Sequence, residues 1–152
     1  MRHVDRRKFV RGGVAAVTVG LAAAGDALAQ EAAQGWEEAV KKILGKTKPI
    51  EARVTLDLPE IAENGNTVPF AVSVESPMTE KEYVKAIHII STGNPQSGVA
   101  TFRLTPQSGK AAVASRMRLG RTQDVIALAE LSDGKVLQAR RSVKVTIGGC
   151  GG

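Results

Sequence analysis

From Ile50 to Thr146 the chain alternates between apolar and polar residues in short runs, each broken by proline, glycine or asparagine. A run of period two has one apolar face, and several such runs hide those faces only by forming sheets that pack on one another. Ile50, Ala52, Val54, Leu56 and Leu58 alternate with Glu51, Arg53, Thr55 and Asp57, which predicts a strand over 50–58 that Pro59 ends. A second strand over 68–75 carries Phe70, Val72 and Val74 on one face, and Pro69 puts its start at a sheet edge. Further strands are predicted over 83–91, 99–105, 113–119, 123–131 and 136–146. Turns fall at Glu63-Asn64-Gly65-Asn66 and at 106–109, and Ser132-Asp133-Gly134-Lys135 suits a type I′ hairpin. Seven short strands at regular spacing predict an all-β, immunoglobulin-like antiparallel β-sandwich over residues 30–147.

One segment departs from that period. Trp36, Val40, Ile43 and Leu44 share a helical face, which predicts a short N-terminal helix over 36–44 with Gly45 as its stop. Glu37 and Glu38 lie at its start and Lys41 and Lys42 near its end, as the helix dipole favours. Its apolar face suits packing on its own domain or on a partner.

Residues 1–29 read as an export leader rather than as part of the fold. Met1 to Arg11 is basic, an Ala-, Val- and Gly-rich run follows over 12–24, and Ala27-Leu28-Ala29 is a small-x-small cleavage site. Arg6-Arg7-Lys8-Phe9 matches a twin-arginine signal, and an ordinary secretory leader is the alternative. The expected location is therefore the periplasm. The leader takes five of the 21 Lys/Arg and two of the 15 Asp/Glu, so the net charge falls from +6 to +3 on its removal. That balance, with one Trp, one Tyr and three Phe, argues against nucleic-acid binding. No second long apolar run points to a membrane.

The chain downstream of the leader offers little catalytic chemistry. Its one histidine, His88, sits inside a predicted strand, where a solvent-facing or hydrogen-bonded side chain is the expectation. No ligand spacing suggests a metal, and no glycine-rich phosphate loop precedes a helix. Arg116, Arg118, Arg121, Arg140 and Arg141 could attract anions or simply form solvated strand faces. No catalytic residue, cofactor site or metal site is therefore assigned, and the chain is not expected to be an enzyme.

The remaining feature is the segment Gly148-Gly149-Cys150-Gly151-Gly152. It holds the only cysteine, so no internal disulfide can form. Glycines on both sides predict a flexible arm, Gly148, Gly149, Gly151 and Gly152, that carries the Cys150 thiol. Residues 147–152 would span about 20 Å when extended. The segment contains no basic group to lower the thiol pKa, so only roughly a few per cent is thiolate at neutral pH. Such a thiol does no chemistry unaided. It suits a covalent carrier whose partner enzymes supply the activation.

With the pentapeptide, the leader and the runs 63–79, 93–109 and 115–134, the sequence resembles the SoxY family, sulfur-carrier subunits of the periplasmic Sox thiosulfate-oxidation system. The resemblance implies that Cys150 is the covalent attachment site for sulfur intermediates, as thiosulfonate and persulfide adducts. It implies a heterodimer with SoxZ and transient docking to SoxAX, SoxB and a sulfur dehydrogenase, with no cofactor in this subunit. Two other readings compete: a Gly-Gly carrier activated at its carboxylate, and a binding module that dimerises through Cys150.

Overall fold

A computed structural model describes residues 35–149. The leader, Cys150, Gly151 and Gly152 lie outside that range. Helix α1 spans 35–44. Eight strands follow: β1 (Val54–Asp57), β2 (Ile61–Asn64), β3 (Val68–Val74), β4 (Val84–Ser91), β5 (Gly98–Arg103), β6 (Ala111–Met117), β7 (Gln123–Leu131) and β8 (Val136–Ile147). They form a three-stranded sheet of order β1-β3-β6 and a five-stranded sheet of order β2-β8-β7-β4-β5. The all-β, two-sheet fold with a short N-terminal helix is the one the alternation predicts.

The core lies between the sheets. Leu56, Val68, Phe70 and Val72 from one sheet meet Ile87, Ile89, Val125, Ala127 and Val143 from the other. Phe70 and Phe102 span the gap, with ring centroids 6.4 Å apart and planes at 59°. A second apolar layer covers the outer face of the five-stranded sheet, where Trp36, Ala39, Val40, Ile43 and Leu44 of α1 pack on Ile90, Ile126, Leu128 and Val136. Strands β4 and β7 are thus buried on both faces, so their sequences read as nearly continuous apolar runs. The helix packs on its own domain, and Gly45 ends it at φ 58° with its N–H on Lys41 O.

Four local expectations need correction. The run 50–58 is not one strand. Ile50 bridges Leu137 in the five-stranded sheet, while Val54–Asp57 pairs with β3 in the other. The chain changes sheets between them, with Arg53 at a positive φ of 59°. Alternation continues across the crossing, so sequence period alone does not reveal it.

Strand β2 occupies the start of the segment read as a turn, and it pairs parallel to β8. One sheet is therefore mixed rather than antiparallel throughout. A four-residue strand with a single partner leaves too short a pattern to detect.

Pro69 lies in the central strand of its sheet, not in an edge strand. The β1 partners of β3 run only from Ala71 to Val74, so at Pro69 one side is open and the missing N–H costs no ladder bond. The 131–135 hairpin is also not type I′. Only Gly134 has positive φ (87°), Gly134 N–H donates to Leu131 O, and Leu131 N–H donates to Lys135 O. This is a three-residue loop with a glycine bulge. Lys135 bonds the Asp133 carboxylate through its side chain and its backbone N–H, which holds that carboxyl below its ordinary range.

Candidate functional site

The route of β8 sets the position of the glycine segment. From Val136 to Val143 the strand pairs with β7, and from Lys144 to Ile147 it pairs with β2. Where β7 has not yet begun, Thr122 takes its place, and its hydroxyl accepts the Val145 N–H at 3.0 Å. Strand β8 then delivers Gly148 and Gly149 between two loops, the 64–66 turn and the segment 118–121.

Three backbone hydrogen bonds join these pieces. Gly65 N–H donates to Ile147 O at 2.8 Å, Leu119 N–H donates to Gly65 O at 2.8 Å, and Gly149 N–H donates to Leu119 O at 3.0 Å. Gly149 is buried and Gly148 is exposed. The glycines are needed for their missing side chains. A Cβ on Gly65 would overlap Leu119 O and lie 2.7 Å from Gly149 N. A Cβ on Gly148 would overlap Gly120 O, and one on Gly149 would lie 2.8 Å from Gly65 O. None of the three has a positive φ. Sequence reasoning gave Gly148 and Gly149 conformational freedom, whereas the geometry gives them close backbone approach.

A polar network stiffens the loop that receives them. Asn94 Nδ2 donates to Arg118 O at 2.7 Å, and Asn94 Oδ1 accepts from Gly120 N–H at 3.0 Å and Gln123 Nε2 at 2.8 Å. Gln123 Oε1 in turn accepts the Gly93 N–H at 2.7 Å. Leu119 is fully buried and anchors the loop in the core. Asn64 Oδ1 accepts the Asn66 N–H at 2.9 Å and shapes the facing turn. Gly65, Leu119, Asn94 and Gln123 were read from sequence only as turn or strand residues, with no role at the site. One signal was available: Gln123 is a polar residue in period-two register with Val125, Ala127 and Ala129, and on so apolar a face it calls for polar partners.

The other candidates fall elsewhere. His88 lies on the outer face of the five-stranded sheet, with Nδ1 3.0 Å from Thr101 Oγ1 and Nε2 2.8 Å from Glu130 Oε1. It is a partnered strand histidine. Arg140 pairs with Asp124 at 2.6 Å and lies over the Trp36 ring. Arg116 and Arg141 are exposed on strands, and Arg118 and Arg121 are exposed on the loop that holds Gly149. Among the described residues no group of three or more His, Cys, Asp or Glu is placed to hold a metal. No helix among them is long and apolar enough to cross a membrane.

Comparison with known proteins gives this geometry its context. The family model for the sulfur oxidation protein SoxY matches residues 40–150, from within α1 to the cysteine. The chain belongs to the SoxY family. Among solved structures it is similar to the sulfur carrier protein SoxY from Chlorobium limicola f thiosulfatophilum. The two share 28% identity over 78% of this chain and 98% of that one, with a TM-score of 0.63. Superoxide reductases share the fold alone. The Ignicoccus hospitalis enzyme, neelaredoxin, is 17% identical over 62% of this chain and 80% of its own, with a TM-score of 0.55. The Nanoarchaeum equitans enzyme is 7% identical over 64% and 99%, with a TM-score of 0.53. A search of curated proteins found no match. Membership of the SoxY family makes the chain a component of the Sox system, which works through several proteins.

Proposed function

We propose that the protein is a covalent carrier of sulfur in thiosulfate oxidation, with Cys150 as the attachment site. The observation that carries this reading is the placement of the only cysteine. It follows directly on a glycine pair lodged at the end of the sandwich, inside the span that the SoxY family model matches.

The chemistry proceeds in balanced steps. The Cys150 thiol and thiosulfate join through a new S–S bond to the sulfane sulfur. One proton and two electrons leave, and the electrons pass to a c-type cytochrome partner, SoxAX. Water then cleaves the bond between the terminal sulfonate and its neighbouring sulfur. Sulfate and two protons depart, Cys150 keeps a persulfide, and SoxB is the hydrolase. A sulfur dehydrogenase can oxidise that persulfide with three waters, releasing six protons and passing six electrons to a cytochrome acceptor, to a sulfonate that a second hydrolysis removes. Each adduct is an anion. Arg118 and Arg121 are exposed on the loop that holds Gly149, and their positive charge is of the sign that suits an anionic cargo.

The heterodimer with SoxZ, the twin-arginine leader and the periplasmic location belong to the same proposal. So does the absence of any cofactor of the subunit's own. The test is Cys150→Ser in a reconstituted Sox system with thiosulfate as substrate. Thiosulfate-dependent cytochrome reduction should disappear, and a variant that retains it would overturn the carrier reading.

A further inference from the structure

We infer that Gly65 and the loop Leu119–Gly120 are positioning residues for the arm. They grip Gly148-Gly149 by backbone alone, so that the last anchored residue of the arm is Gly149 and not the end of β8. Three observations carry this. The hydrogen bonds from Gly65 to Ile147, Leu119 to Gly65 and Gly149 to Leu119 link the turn, the loop and the arm in sequence. Gly149 is buried between Gly65 and Leu119. At Gly65, Gly148 and Gly149 alike, even one added carbon would collide with backbone, which cannot swing aside as a side chain can.

The loop side of this clasp is held from behind. Asn94 fixes Arg118 O and Gly120 N–H, and Gln123 fixes Asn94. The loop therefore receives the arm in a preset shape, at little cost in conformational entropy on closure.

The clasp limits where the thiol can go. A tail free from Ile147 onward would let the sulfur range about 13 Å from the end of β8. A tail held through Gly149 keeps it within about 7 Å of the last anchored Cα. Any enzyme that works on the thiol must then come down onto the rim made by 64–66, Asn94 and 118–121. The exposed Arg118 and Arg121 lie on that rim, so the docking face that suits it is narrow and acidic. The clasp itself assumes nothing about the cargo. Only this docking consequence rests on the carrier reading, which Cys150→Ser tests separately.

Two measurements on the full chain test the clasp. In the wild-type protein the Gly149 amide should exchange with solvent at least about tenfold more slowly than an unstructured peptide amide. Gly148→Ala and Gly149→Ala should remove that protection while the β7 and β8 amides keep theirs. In the same variants the rate of Cys150 alkylation by a bulky maleimide, relative to that by iodoacetamide, should rise about threefold or more. A merely structural role would leave that ratio unchanged. The inference is overturned if the wild-type Gly149 amide exchanges at the free-peptide rate. It is equally overturned if both variants keep the wild-type protection and rate ratio.

Discussion

The hairpin at 131–135 and the root of the arm both depend on glycine, for opposite reasons. Gly134 adopts φ 87°, and a Cβ there would meet nothing within 4 Å. It is glycine because the backbone turns where side-chain-bearing residues are strained. Gly65, Gly148 and Gly149 have ordinary φ values, yet a Cβ on any of them would run into backbone at once. They are glycine because two chain segments pass too close for a side chain. The first kind of glycine shapes one loop, whereas the second joins three segments distant in sequence. A Gly-Gly pair is therefore not by itself a sign of slackness.

Substitutions can break this contrast. Gly65→Ala should have the largest effect, about 2–3 kcal/mol of lost stability, because its Cβ faces Leu119 O and the Gly149 backbone at once. Denaturant unfolding measures the loss, and hydrogen exchange should show the Gly149 amide deprotected in the same variant. Asn94→Ala comes next, at about 1–2 kcal/mol, since it leaves Arg118 O, Gly120 N–H and Gln123 Nε2 short of a partner. Its deprotection at Gly149 should be partial. Gly134→Ala should be the mildest, at about 1 kcal/mol from strain at positive φ alone. It should leave Gly149 exchange untouched. If Gly134→Ala deprotected Gly149 as strongly as Gly65→Ala, the two kinds of glycine would not be distinct.

Much of this architecture was legible in the residues. The alternation of Val68–Val74 and the face Trp36, Val40, Ile43 and Leu44 are local patterns, and the structure keeps both. The crossing at 51–53 and the parallel pairing of β2 were not legible, because each depends on which distant strand is the neighbour. At the site, Cys150 stood out as the only thiol. The clasp did not, because Gly65 and Gly120 meet Gly149 only after the sandwich closes. Neither an asparagine-flanked glycine at 65 nor a lone glycine at 120 announces such a partner. Gln123, a polar residue in register with Val125, Ala127 and Ala129, was the nearest thing to a local clue.

The most direct test is the intact mass of the protein recovered from cells oxidising thiosulfate, with fragmentation of the peptide that contains residues 148–152. The account predicts mass increments of one sulfur and of a thiosulfonate, both confined to Cys150 and both removed by reduction. A Cys150 found only as free thiol, or only as a disulfide to a second copy of the chain, would contradict it.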